Sequence, residues 1–159
     1  MSLKHRIADA SYRFYGRMRH KTAFDSAVQP GTALDFAGLH GRKHALLVTY
    51  RRDGTAVPVP VWFALIDDSR LVVHTEERTA KVRRIRHDPR ARVVPCDPRG
   101  KVLGPGVEAT ARILSAGEES DLAEAALDRQ YGRPRRIQHK LMLDEGGMVH
   151  LELTAVPPS

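Results

Sequence analysis

The chain has 159 residues, with 26 Lys and Arg against 19 Asp and Glu, and a formal charge of +7. That length suits one domain with a sizeable core, and the single cysteine, Cys96, excludes an internal disulfide or a cysteine zinc site. No apolar run approaches the roughly 18 residues that span a membrane, and no apolar signal core follows the charged start Met1 to Arg6. A cytoplasmic protein with no membrane partner is therefore expected. The basic surplus favours anionic partners. Nucleic acid is not expected among them, because one Trp, four Tyr and four Phe give no interleaved basic and aromatic pattern for stacking on bases.

In chain order, residues 3 to 21 read as an Arg-rich helix with apolar or aromatic Ile7, Tyr12, Phe14, Tyr15 and Met18. Gln29-Pro30-Gly31 breaks the chain, and Thr32 to Asp35 resembles a capping box opening a short helix through about Leu39. Residues 1–40 are thus expected as a helical extension to a main domain over 41–159. His44 to Tyr50 is a strand by its β-branched content, and Asp53-Gly54 is hairpin-turn chemistry. Thr55 to Ile66 alternates at period two, with Val57, Val59, Val61, Phe63 and Leu65 on one face and Pro58, Pro60, Trp62 and Ala64 on the other. It reads as one continuous strand.

Leu71 to Thr75 is a third strand, and a helix from Thr79 to His87 follows, facing Val82 and Ile85 inward until Pro89 stops it. Ala91 to Cys96 and Val107 to Leu114 are strands four and five. Ser115 to Glu118 reads as a capping box opening a helix to Tyr131, a weaker helix covers 134 to 143, and Met148 to Ala155 is strand six. The expected fold is mainly β (α+β): a six-stranded antiparallel barrel, closed or split, with flanking helices.

Two segments carry candidate chemistry. Pro58 and Pro60 leave two donor positions blank on one edge of their strand; that is either a protected sheet edge or a backbone wall for a flat ligand, with Trp62 beside it. Thr75 to Lys81 lies between a strand and the head of a basic helix. There, helix N–H groups, the Thr79 hydroxyl and the Lys81 ammonium suit a phosphate. The competing reading is an ordinary N-cap followed by a solvated basic face, and Glu76 and Glu77 oppose an anion unless they turn away. The eight histidines show no HExxH or compact ligand spacing, so His44 and His74 are expected to be structural and no metal is assigned. No nucleophile elbow, P-loop or dinucleotide-binding glycine motif is present.

The run from His44 to Ile66 with Val57-Pro58-Val59-Pro60-Val61-Trp62-Phe63, then Leu71 to Pro98 with Thr79, Lys81, Ile85 and Pro89 spaced as T-x-K-x-x-x-I-x-x-x-P, then Gly104 to Leu114, resembles the pyridoxamine-phosphate-oxidase-like proteins with the FMN-binding type of split β-barrel. Met148 to Leu153 matches loosely, and the first 40 residues lie outside the likeness. Within that class the chain looks like the actinobacterial branch of deazaflavin-dependent reductases (FDOR-B type) that uses coenzyme F420, a 5-deazaflavin with an oligoglutamate tail. The resemblance implies that Val59, Pro60, Val61 and Trp62 line the ring system and that Thr75, Thr79 and Lys81 surround the phosphate. It makes Arg78, Arg83 and Arg84 candidates for the acidic tail. It also implies a homodimer with the cofactor at the subunit interface.

Two departures bear on the branch. The B6 oxidases typically have Ser-Arg-Lys where this chain has Thr79-Ala80-Lys81, so an arginine for the phosphate of FMN is missing. They also end in an Arg- and Trp-rich segment, whereas here Leu151-Glu152-Leu153 leads to Pro157-Pro158-Ser159. Vitamin B6 oxidation is not expected. The implied activity is an F420-dependent oxidoreductase passing hydride from reduced cofactor to a small organic acceptor. The alternatives are an FMN-dependent reductase on the same barrel and a non-catalytic deazaflavin carrier. No catalytic residue is assigned.

Overall fold

The computed structural model describes residues 21–132 and 147–157. Its elements are α1 (Lys21–Ala27), a 3-10 turn (Ala37–Leu39), β1 (His44–Tyr50), β2 (Ala56–Trp62), β3 (Ala64–Asp67), β4 (Arg70–Glu76), α2 (Ala80–His87), β5 (Arg90–Pro95), β6 (Val107–Ile113), α3 (Glu118–Tyr131) and β7 (Met148–Ala155). The strands form one sheet in the order β2-β1-β5-β6-β7-β4-β3, antiparallel at every pairing. β2 and β3 stand at opposite ends of that order yet are separated in the chain by Phe63 alone. The two ends of the sheet must therefore meet at Phe63, which curls the sheet into a split β-barrel.

This closure corrects the expected strand count. The segment Thr55 to Ile66 is two strands, β2 and β3, so there are seven strands and not six. The alternation runs unbroken through the corner, which hid the break: Val59, Val61, Phe63 and Leu65 all belong to the barrel interior, on both sides of it.

Alternation sorts the other strands the same way. Ala45 and Leu47, Leu71 and Val73, Val93, Ala109, Ala111, Leu151 and Leu153 fill the interior, joined by Phe36 and Leu39 from the N-terminal side and by Val82 and Ile85 of α2. The outer face carries two further clusters. Ala23 and Ala27 of α1 cover Leu46, Val48, Val94 and Cys96. Ala123, Ala126 and Leu127 of α3 cover Ala64 and Val72. α3 lies across β3, β4 and β7.

The β1–β2 turn forms as the Asp53-Gly54 pair requires: Gly54 takes φ +87° and donates its N–H to the Arg51 carbonyl at 2.9 Å. Neither expected capping box forms. Asp35 Oδ1 accepts from the Ala37 N–H at 2.9 Å at the head of a mere 3-10 turn. At α3 the N-cap is Gly117, at φ +104°, and it is Glu119 whose carboxylate accepts the Ser115 N–H. Most of the helix expected over 3 to 21, and all of that over 134 to 143, lies outside the described residues. No described helix is long and apolar enough to cross a membrane.

Candidate functional site

β1 and β4 point interior side chains toward the same end of the barrel, where α2 sits. By alternation Thr49 continues the inward series Ala45 and Leu47, and Thr75 the series Leu71 and Val73. Both hydroxyls are buried, Thr49 completely. α2 turns Lys81, Val82 and Ile85 toward the barrel. Val82 and Ile85 enter the core, and Lys81 goes in with them, only 7% exposed. The i, i+4 relation between Lys81 and Ile85 is the sequence signal that puts Lys81 on the inward face and not on the solvated one.

Burial dominates the chemistry of Lys81. Desolvation lowers its pKa from 10.5 to about 8, with Glu76 opposing that shift and Arg84 adding to it. Arg84 reaches across to β1, where its Nε donates to Thr49 Oγ1 at 2.6 Å. Thr79 occupies the N-cap of α2, but its hydroxyl donates back to the Glu76 carbonyl at 2.9 Å and does not cap the helix. The first-turn amides of α2 are thus left to acceptors other than the Thr79 side chain. Glu77 is drawn away by Arg86, 2.8 Å distant, while Glu76 stays beside Lys81. Arg78 and Arg83 are exposed neighbours, and Arg83 donates to the Arg78 carbonyl at 3.1 Å.

Thr75, Arg78, Thr79, Lys81, Arg83 and Arg84 therefore cluster at one end of the barrel. The β2 residues do not join them there. β2 ends the sheet, as its two prolines suggested. Val59 and Val61 turn their side chains inward, while Pro60 packs near Gly100 on the outer side. Trp62 pairs in register with His44, whereas Thr49 pairs with Val57, so Trp62 lies five residues, roughly 17 Å, along the strand from the cationic end. It is half exposed, stacked on the Tyr131 ring with centroids 5.2 Å apart and edge-on to His44. The Tyr131 hydroxyl accepts the Phe63 N–H at 2.9 Å and contacts the Lys43 and Phe63 carbonyls, so α3 pins the corner where the sheet closes.

Three groups escaped the sequence reading. Thr49 is buried and bonded to Arg84, but nothing in a β-rich strand distinguishes an inward threonine from any other. Tyr131 and the cluster of His74, Glu124 and His150 depend on contacts between segments far apart in the chain. A pocket of about 240 Å³ opens between Leu39, Arg42, Phe63, Leu65 and Gln130, and none of the candidate cofactor residues lines it.

Comparison with known proteins agrees with this architecture. The family profile described as pyridoxamine 5′-phosphate oxidase matches residues 35–154. No curated protein matches by sequence. Among solved structures, the chain is similar to HutZ, a heme storage protein from Vibrio cholerae: TM-score 0.59, 14% identity, covering 74% of this chain and 84% of that one. It is similar also to a conserved hypothetical protein from Mycobacterium tuberculosis, with TM-score 0.56, 20% identity and coverage of 72% and 74%. A third is an FAD-binding protein from Mesorhizobium loti, with TM-score 0.51, 17% identity and coverage of 74% and 82%.

Proposed function

Because the chain belongs to the pyridoxamine 5′-phosphate oxidase family, we propose that it is an oxidoreductase using a phosphate-bearing, flavin-type cofactor, and specifically the deazaflavin coenzyme F420. The shared fold leaves the choice of cofactor open, since similar barrels include a heme storage protein and an FAD-binding protein. The choice therefore rests on this chain's own residues. The observation that carries the phosphate is the burial of Lys81 at the head of α2, with Glu76 and Arg84 as charged neighbours, and the preference for F420 over FMN draws on Ala80, where the B6 oxidases carry an arginine.

That donor set fits a phosphate. A buried ammonium whose proton is held loosely regains it against a dianion, and a helix head adds partial positive charge. Thr75 offers a hydroxyl from inside the barrel. Arg78 and Arg83 stand outside on the rim, suited to a flexible polyanion such as an oligoglutamate tail. The edge strand β2 offers backbone through Val59, Pro60, Val61 and Trp62 for a flat ring. Bound there, a deazaflavin supplies two-electron hydride chemistry and disfavours one-electron and oxygen reactions. The residues of this chain bind and orient it, and a small organic acceptor receives the hydride. No acid or base of the chain is assigned. A homodimer whose second subunit completes the site belongs to the same reading.

The second reading, an FMN-dependent reductase, draws on Arg84. Its bond to Thr49 holds a guanidinium beside Lys81, where it replaces part of what Ala80 lacks. Titration of oxidised F420 and FMN in parallel separates the two. F420 is expected to bind more tightly, and equal or tighter FMN binding overturns the deazaflavin assignment. In Lys81→Ala, affinity for either phosphate-bearing cofactor falls roughly tenfold to hundredfold, the worth of a charge-assisted hydrogen bond. Binding by the parent weakens as pH rises past about 8, where Lys81 loses its proton, and the variant loses that dependence.

A further inference from the structure

The outer face of the sheet holds a second constellation. In β4, Leu71 and Val73 point into the barrel, so His74 points out beneath α3; in β7, Leu151 and Leu153 point in and His150 out. His74 and His150 face each other directly in the β4–β7 register. Their rings stack with centroids 4.5 Å apart at 14°. Glu124 comes down from α3, its Oε2 lying 2.7 Å from His150 Nε2. One ligating atom from each of the three lies within 4.8 Å of the others, and all three residues are partly buried.

We propose that His74, Glu124 and His150 bind one divalent transition-metal ion of the Zn²⁺ type, with a remaining position open to water. Two imidazoles and one carboxylate are a donor set that zinc accepts in four-coordinate geometry, whereas Mg²⁺ and Ca²⁺ call for oxygen shells. Ligand distances of about 2.0–2.2 Å set tetrahedral ligand atoms roughly 3.4 Å apart, so His150 Nε2 and Glu124 Oε2, now 2.7 Å apart, must part slightly to admit the ion. Glu124 can supply much of that movement, since its side chain stands about one-third exposed on a surface helix. The two histidines are already held opposite each other by the sheet.

The site would tie α3 to β4 and β7. α3 also carries Tyr131, which holds the Phe63 corner and stacks on Trp62. Metal binding would thus fix the helix that guards the closure of the barrel. The inference does not depend on the cofactor assignment, because none of His74, Glu124 and His150 is a candidate cofactor residue.

The test uses full-length protein stripped of metal with a chelator, then titrated with Zn²⁺ by calorimetry and with Co²⁺ by visible absorption. One ion per chain is expected at this site, together with a rise in the thermal midpoint as Zn²⁺ is added. His150→Ala should lose affinity by about tenfold or more, a factor read directly from the titration. Glu124→Gln keeps the volume on a partly exposed helix position, so it remains informative should His150→Ala fail to fold, and it should weaken binding in the same direction. His87→Ala, on α2, should bind as the parent does. Absence of Zn²⁺ and Co²⁺ binding below millimolar concentration overturns the proposal. So does binding left unchanged in both His150→Ala and Glu124→Gln.

Discussion

Among the described residues two basic side chains are buried, Arg92 at 8% exposure and Lys81 at 7%, and their surroundings differ. Arg92 meets acceptors through Nε and NH1. Its Nε donates to Glu108 Oε1 at 2.7 Å and its NH1 to the Ala27 carbonyl at 2.7 Å and the Ser26 carbonyl at 3.3 Å. Glu108 in turn accepts the Gly31 N–H at 2.7 Å. This network staples the end of α1 and the following loop onto β5 and β6. Lys81 sits at the barrel rim, where the attraction of Glu76 does not offset the cost of leaving water and Arg84 adds repulsion. The two cations thus differ in the direction in which their surroundings act: burial lowers the pKa of Lys81, and a strongly lowered cation beside a helix head is a candidate for a functional role.

The largest expected effect falls on the stapled side. Arg92→Ala strands Glu108 and two carbonyls, and unfolding by denaturant should show a loss of about 3 kcal/mol, the low end for a broken buried pair because Glu108 keeps a third of its surface in water. A silent Arg92→Ala would erase the contrast with Lys81.

Lys81→Met should act in the opposite sense. Folding lowers the pKa of Lys81 from 10.5 to about 8. Between those values the unfolded chain holds the proton and the folded chain does not, so the stability of the parent rises with pH across that window. Below about 8 the full penalty is present, on the order of 3 kcal/mol. Lys81→Met removes it. The cofactor-free variant should be more stable than the parent at pH 7 by about 1 kcal/mol or more, with the gap closing toward pH 10.5. Denaturant midpoints across pH measure both. A variant less stable than the parent at pH 7 would mean that Lys81 is matched as fully as Arg92 is.

The smallest effect sharpens the boundary of the rim. Arg83 is exposed, so Arg83→Ala should change stability by less than about 0.5 kcal/mol. It should nevertheless weaken F420 binding more at low than at high ionic strength, because screening falls on exposed charge pairs first. Equal loss at all salt concentrations would place Arg83 against the phosphate and not the tail.

Much of the sheet was legible in the sequence, because β-branched content and turn residues act locally. His44–Tyr50 and Met148–Ala155 appear where expected. The break at Phe63 was not legible: period-two alternation records which face a side chain takes, not how far the sheet curls before its ends meet. The α3 cap was misplaced by two residues for a local reason. Gly117 carries the sharp turn at positive φ, and of two adjacent glutamates it is Glu119 that reaches the Ser115 N–H. The candidate residues Thr79 and Lys81 stand at the expected strand-to-helix junction, yet only the inward position of Ile85 tells that Lys81 is buried. His74 and His150 are 76 positions apart in the chain, and only the β4–β7 register makes them neighbours.

Cys96 lies in the outer cluster beneath α1, 3% exposed, its thiol pushed up to about 12 chiefly by burial. As the sole cysteine of the chain, it gives the molecule an internal clock. A thiol reagent finds neither access nor thiolate while α1 is seated, and reacts only in the interval after that helix lifts. The labelling rate therefore counts departures of the N-terminal strap one by one, and distinguishes a molecule that frays at this edge from one that opens all at once.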